Sequence, residues 1–363
     1  MPVKSEMLVR KDALEQVAIN QTIAPEPQEG EVLLEVEAFA VTANNVTYAV
    51  VGEQVGYWNF FPAPDGWGIV PVWGYARVVA SRFAGVAVGE RVYGYLPMAT
   101  HVIVQPGKIS AGLFRDMAAH RQPMSPVYNQ YRRLAADPAH DERREDMRML
   151  FEPLFLTSFL IEDTLRRAGW HGADSVVLTS ASSKTALGTA YVCRANSPAV
   201  RRIGLTSAGN VAFVEGTGLY DAVMAYDALD RLDVAGSAVV IDFAGNADLL
   251  GSLYAALPGR VAQCPRVGVT HHAERGEERG DGGVLPAPKP VWFFAPDAAT
   301  ALIGEIGQDS FNTGVAAQWR GFVDTADGLV TIEHHSGVEA LQRVWCAQVA
   351  GQAKPDKGHI VRM

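Results

Sequence analysis

The chain has 363 residues, 48% hydrophobic and 20% charged, with a net charge of −9. That balance suits a globular protein of about two domains, and the acidic excess argues against a nucleic-acid partner, whose phosphates need a basic surface. No apolar run reaches about 18 residues and the charged start MPVKSEMLVRKDALEQ has no signal-peptide core, so no membrane partner and a cytoplasmic location are expected.

Short β segments crowd the first 112 residues. EVLLEVEAFAV alternates, and GIVPVWGYARVVAS, GVAVGERVYGYLP and HVIVQP follow with turn residues between them. Strands so short and frequent predict a compact barrel over 1–112. Residues 113–150 change character: LFRDMAAHRQPMSPVYNQYRRLAADPAH mixes amphipathic pieces with a Pro-broken turn. DERREDMRML reads as a solvated helix face, so a helical insertion or linker is expected there. EPLFLTSFLIEDTLRRAG is a helix that ends in basic residues and Gly169.

Beyond it, SVVLTS, RRIGLTS, YDAVMAY, SAVVIDF, RVGVT and PVWFFAP read as strands. Helices such as KTALGTAYVCRA and NADLLGSLYAAL separate them. The alternation predicts an α/β fold with a six-stranded parallel sheet over 151–319, covered on both faces. HHAERGEERGDGGVLPAPKP reads as an exposed loop. The tail, 320–363, reads strand, helix, strand and is expected to return to the first domain. Cys193, Cys264 and Cys346 form no Cys-x-x-Cys pair and indicate neither a disulfide framework nor a structural zinc.

The run VVLTSASSKTALGTAY, Val176 to Tyr191, is laid out as a nucleotide-binding strand–turn–helix without the usual glycines. Hydroxyls and an ammonium can bind phosphate as side chains where glycines let the backbone do so. Ser180, Ser182, Ser183, Lys184 and Thr185 are therefore candidates, and Ser183 can also cap the helix. The competing reading is a capped turn in a fold that has lost its ligand.

The order of elements, with GVAVGERVYG, VVIDFAGNADLLGSLYAALPGRV and GVEALQRVWCAQVAGQAKPDKGHIVRM, resembles the medium-chain dehydrogenase/reductase superfamily over nearly the whole chain. TANNVTY, SSKTALG and SPVYNQY look like a divergent branch known mainly as a domain of unknown function. The resemblance implies a GroES-like barrel, a Rossmann domain and a dinucleotide cofactor. It also implies a homodimer through VWFFAP. The zinc-ligand positions of the superfamily's alcohol dehydrogenases fall near Ala43, Trp73 and Gly74, so no metal is expected. The zinc-free quinone and enoyl reductases are the closer comparison, and their turn reads roughly Gly-Ala-Ser-Gly-Gly-Val-Gly.

The second strand of the α/β part ends in Thr206-Ser207 with no acid before Glu215. A carboxylate there would repel a 2′-phosphate, whereas Thr206, Ser207 and Asn210 can hydrogen-bond it. NADP(H) is thus expected as cofactor, with Phe243, Ala244, Gly245, His271 and Phe293 as further cofactor-binding candidates. A hydride acceptor such as an enone, enoyl group or quinone needs donors near its oxygen and a proton source. Asn44, Asn45, Tyr48 and Tyr57 are the catalytic candidates in the first domain, and Tyr128 and Tyr131, which share a face if SPVYNQY is helical, form a second pair. Tyr57, Trp58, Phe60, Phe61 and Trp67 would suit a small apolar or aromatic substrate. The expected activity is a zinc-independent reductase. The alternative is a catalytically silent dinucleotide-binding redox sensor or interaction protein.

Overall fold

Alternating or continuous apolar runs decide which faces of the strands are covered. The computed structural model describes residues 2–267 and 285–363. Its contacts divide into two units: Met1–Leu150 with Thr331–Ala353 and Lys357–Met363, and Phe151–Val330 with Lys354–Asp356.

The first unit starts with β1 (Val3–Arg10), β2 (Ala13–Ile23) and β3 (Val32–Val41), then α1 (Ala43–Val50) and α2 (Gly52–Val55). β4 (Trp67–Gly68), β5 (Pro71–Ser81), β6 (Arg91–Pro97), β7 (His101–Val104), β8 (Pro106–Gly107), β9 (Leu113–Asp116) and β10 (Gln130–Arg133) follow. β3 buries Val32, Leu34 and Val36 and exposes Glu35. Gly74 permits the contact of β5 with β3, because a Cβ there would lie 2.2 Å from the Ala38 carbonyl oxygen.

Residues 113–150 are not a helical insertion. They contribute β9, β10 and short 3-10 turns, and α-helix begins only at Glu145. Pro123, Pro126 and Pro138 explain the difference, since each lacks the N–H that a helix interior needs. The segment is organised instead by Arg121, 1% exposed. Its guanidinium donates to Asp116 Oδ2 and Tyr131 Oη at 2.9 Å, to the Tyr128 carbonyl at 3.0 Å and to Asn129 Oδ1 at 3.1 Å. Its flat faces lie over the rings of Phe60 and Phe61.

The second unit opens within α3 (Glu145–Arg167) and alternates β11 (Ser175–Leu178), α4 (Lys184–Asn196), β12 (Arg201–Thr206), α5 (Val211–Gly216), β13 (Ala222–Ala225) and β14 (Ala238–Ile241). α6 (Ala247–Ala256), β15 (Val261–Gln263), β16 (Pro265–Arg266), β17 (Val291–Trp292), α7 (Ala295–Ile306) and α8 (Gln308–Ala326) complete it. Every residue of β11 and β14 is buried, as parallel strands covered on both faces require. The parallel order is β13-β12-β11-β14-β15, which reverses direction between β11 and β14.

Among the described residues this sheet has five strands, not the six expected. VWFFAP supplies β17, which pairs in parallel with β16 instead. β16 follows β15 after Cys264 and bridges in parallel to Asp242 through Arg266. The expected strand RVGVT is described only as far as Val267. Gly188 brings α4 against α3: a Cβ there would lie 2.7 Å from Ser158 Oγ, which donates to the Thr185 carbonyl at 2.7 Å.

The chain then leaves α8 for β18 (Thr331–Ser336), α9 (Val338–Val349) and β19 (Lys357–Arg362). Both strands join the larger sheet of the first unit, ordered β18-β19-β3-β5-β6-β10-β9-β8, with β7 also on β3. α9 buries Leu341 and Trp345 in that unit's core with Leu34, Phe39, Val72 and Phe114.

Arg121→Met would leave the Asp116 carboxylate buried without its partner. Loss of about 3–5 kcal/mol is expected, read as a lower denaturation midpoint, while Arg143→Met at the surface leaves the midpoint nearly unchanged. Equal midpoints for the two variants would show that the Arg121 network does not hold the unit.

Candidate functional site

Two groups of polar or aromatic side chains match the candidates, one in each unit. In the second unit, ligand crevices of open parallel sheets form where the strand order reverses, at the carboxyl ends. Here that edge carries the turn between β11 and α4. Ser180 takes the first glycine position of the related turns and keeps a left-handed φ of +46°, a conformation that costs a non-glycine residue about 1 kcal/mol. Its N–H donates to Tyr226 Oη at 3.0 Å, and Ser183 caps α4 by accepting from the Ala186 N–H at 3.3 Å. Ser182 Oγ accepts from Thr206 Oγ1 and from Asn210 Nδ2, both at 3.3 Å. Thr206 and Asn210 therefore converge on the hydroxyl of Ser182, between the ends of β11 and β12.

Lys184 is the first residue of α4 and is half-buried along its length. Its amine end is enclosed, and that enclosure pushes its pKa down to about 8, opposed by Asp356. Thr185 is half-buried, and its carbonyl accepts from Ser158 and Thr189. Ser207 is exposed and starts a short turn, its carbonyl accepting from the Asn210 N–H at 2.9 Å.

Phe243, Ala244 and Gly245 turn inward through their backbones. Thr179 Oγ1 accepts from the N–H groups of Phe243 at 2.8 Å and Ala244 at 3.0 Å. Asp242 Oδ1 accepts from Ala244 and Gly245 at 3.1 and 3.0 Å. Asp242 is 1% exposed, and its second oxygen faces Arg266 Nε at 3.3 Å. Phe293 is half-buried and donates its N–H to the Arg266 carbonyl. His271 lies outside the described residues.

In the first unit, Tyr48 on α1, Tyr57, Tyr95 on β6 and Tyr128 gather around Phe60 and Trp73. Ring centroids are 4.5 Å apart for Tyr48–Tyr57, 5.7 Å for Tyr57–Tyr128 and 4.8 Å for Tyr95–Tyr128. The hydroxyls of Tyr57 and Tyr128 share a hydrogen bond of 2.9 Å. Trp73 Nε1 donates to Tyr48 Oη at 3.4 Å. Burial pushes the pKa of Tyr48 and Tyr57 up, and that of Tyr95 and Tyr128 well up. These phenols therefore stay protonated at neutral pH and act as hydrogen-bond donors rather than bases.

Asn44 is half-buried beside Tyr48. Asn45 is spent on structure: its Oδ1 accepts from the Thr42 N–H at 2.7 Å and its Nδ2 donates to the Pro71 carbonyl at 2.9 Å. Tyr128 and Tyr131 do not share a helix face, because Tyr128 sits on a 3-10 turn and Tyr131 on β10. Tyr131 instead stacks on Phe114 and donates to the Tyr95 carbonyl at 2.9 Å. Ala43 opens α1, and Trp73 and Gly74 lie on β5. Of the aromatic loop, Phe60 and Phe61 line a pocket of about 170 Å³ with His101, Asp116 and Arg121. Trp58 fills the space beside Gly52 and Gly68, and Trp67 stacks with Arg10.

The sequence reading missed Tyr95, Arg121, Thr179, Tyr226 and Asp242. Two had a signal. Tyr95 alternates with Tyr93 opposite Trp73 and Tyr75 on the facing strand, and Asp242 is an acid directly after the apolar run of β14. Arg121 had none, because a buried arginine reads as a surface one.

Solved structures with the same fold span this chain end to end. CurA from Vibrio vulnificus matches with a TM-score of 0.62 at 16% identity, covering 100% of this chain and 99% of its own. CurA from that organism in complex with NADPH gives 0.60 at 16%, covering 99% of each chain. The CurK enoyl reductase gives 0.55 at 14%, again with 99% of each chain covered. No curated protein matches the sequence. The sequence profile that does match, over residues 39–354, is described as a protein of unknown function, and the chain belongs to that family, DUF2855.

Proposed function

We propose that the protein is a zinc-independent, NADP(H)-dependent oxidoreductase, built as a GroES-like barrel and a Rossmann-type domain. It passes hydride to an activated double bond or a quinone. The observation that carries this reading is the convergence of Thr206 and Asn210 on Ser182 at the carboxyl edge of the parallel sheet. Neutral donors without a carboxylate suit a 2′-phosphate. The left-handed Ser180 keeps the shape that glycine gives such turns, so the residues present fit the cofactor. The fold shared with an NADPH complex and an enoyl reductase supports the same reading.

NADPH, when bound, would supply the hydride. Ser182, Thr206 and Asn210 would hold its phosphates and ribose, with Lys184 adding positive charge. Tyr48 and Tyr57, held neutral by burial, would donate hydrogen bonds to the oxygen on which charge develops. The aromatic surroundings favour a small apolar or aromatic substrate. Ala43, Trp73 and Gly74 offer no zinc ligand where related dehydrogenases carry them. Exposed Val291 and Trp292 on β17 support a homodimer through that edge.

A second reading has its own observation. Tyr226 already occupies the Ser180 N–H, and the tyrosines are nearly enclosed, Tyr57 being 5% and Tyr128 9% exposed. Both would suit a catalytically silent dinucleotide-binding redox sensor.

Titration by nicotinamide fluorescence should find NADPH bound more tightly than NADH. Asn210→Asp should weaken NADPH by about tenfold or more through repulsion while sparing NADH. Binding of neither dinucleotide would reject both readings.

NADPH affinity should be full below pH 8 and fall as pH rises through about 8, where the Lys184 amine loses its proton. Lys184→Met should flatten that profile, and a profile unchanged by the substitution would remove Lys184 from the phosphate site.

With an accepted enone or quinone, Tyr48→Phe and Tyr57→Phe should each lower kcat by about a hundredfold without changing NADPH affinity. Unchanged turnover in both would leave the tyrosines a packing role.

A further inference from the structure

Parallel strands place registered residues side by side on one face, and residues two apart on a strand share that face. On β18, Glu333 and His335 are such a pair, and on β19, His359 is in register with Glu333. Their ligand-capable atoms all lie within 4.8 Å of one another. His335 Nε2 is 3.1 Å from His359 Nδ1, and His359 Nδ1 is 3.6 Å from Glu333 Oε2. Donor atoms bound at about 2.0–2.1 Å to a tetrahedral ion stand about 3.3 Å apart, so both separations bracket the edge of a shared coordination sphere.

We propose that Glu333, His335 and His359 form a site for a divalent transition ion, Zn²⁺ by its ligand set. Two ring nitrogens and one carboxylate oxygen supply three ligands and leave a position for water. The carboxylate is held in a suitable pose: Oε1 pairs with Lys357 Nζ at 3.4 Å while Oε2 faces His359. An outer partner of that kind orients a ligating carboxylate. His334, on the opposite face, pairs with Asp146 at 3.2 Å and takes no part. The ion would clamp the edge strand β18 to β19 and stabilise the first unit by mass action. The site is independent of the dinucleotide reading.

The test uses the full chain, stripped with a chelator and titrated calorimetrically with Zn²⁺, with Co²⁺ absorption as a second probe. One equivalent should bind saturably, Co²⁺ should give the intense visible bands of a tetrahedral site, and the melting temperature should rise. His335→Gln and His359→Gln should weaken binding by about a hundredfold, since even outer partners cost about 10–100-fold. His334→Gln should bind as the wild type does. Glu333→Gln, at a half-exposed position, serves if the histidine variants fail to fold, and it should weaken binding by about tenfold or more. Absence of saturable uptake by the wild type would mean that the two rings simply share a proton. Uptake undiminished in His335→Gln or Glu333→Gln would likewise overturn the assignment.

Discussion

A guanidinium buried in the first unit sets the conformation of everything around it. An arginine taken from water must find a partner for each donor, and only a closed set of acceptors makes its burial tolerable. Arg121 directs four of its five N–H groups to one carboxylate, one side-chain amide, one phenol and one backbone carbonyl. The acceptors lie between Asp116 and Tyr131, so a segment with two prolines and little regular structure acquires one shape. Asp116 is fixed in turn by the N–H groups of Gln105 and Ala118. The turn that carries Tyr128 into the aromatic cluster follows from this network, not from helix propensity.

The second unit obeys a different constraint. Its central strands are apolar on both faces and need cover on both, so polar chemistry is pushed to the strand ends. Ser182, Thr206 and Asn210 meet there, as do Thr179 and Asp242. A serine in place of glycine at position 180 keeps the turn's left-handed shape at an energetic cost, while Tyr226 Oη secures it by accepting from the Ser180 N–H. The turn is thus maintained by side-chain hydrogen bonds where related turns rely on the absence of a side chain.

Much of this was legible from residues alone. The apolar runs of β11 and β14 identified a covered parallel sheet, and the Ser-rich turn with Thr206 and Asn210 could be matched because strand ends in such sheets converge. The capping role of Ser183 followed from residue type. What escaped was whatever depended on partners distant in sequence. Tyr131 looked helical beside Tyr128 because helical spacing is local, whereas its pairing with Phe114 and Arg121 is not. Asn45 looked available for chemistry until its amide was seen bound to the Thr42 N–H and the Pro71 carbonyl. A sixth strand was expected from apolar character; among the described residues VWFFAP pairs with β16, which bridges through Arg266 to Asp242 at the end of β14.

The return of β18, α9 and β19 to the first unit bears on how the chain is made. β19 pairs with β3, and the Trp345 indole donates to the Leu14 carbonyl across 331 residues. Closing so long a loop adds little to the equilibrium cost but delays the contact. Synthesis is vectorial, and domains fold as they emerge. The strands of the second unit all lie between Phe151 and Val330, so they can assemble while β3 still lacks β19 beside Ala38–Val41. The half of the protein translated first is therefore the half completed last, and its open strand edge must stay protected until residues 331–362 have left the ribosome.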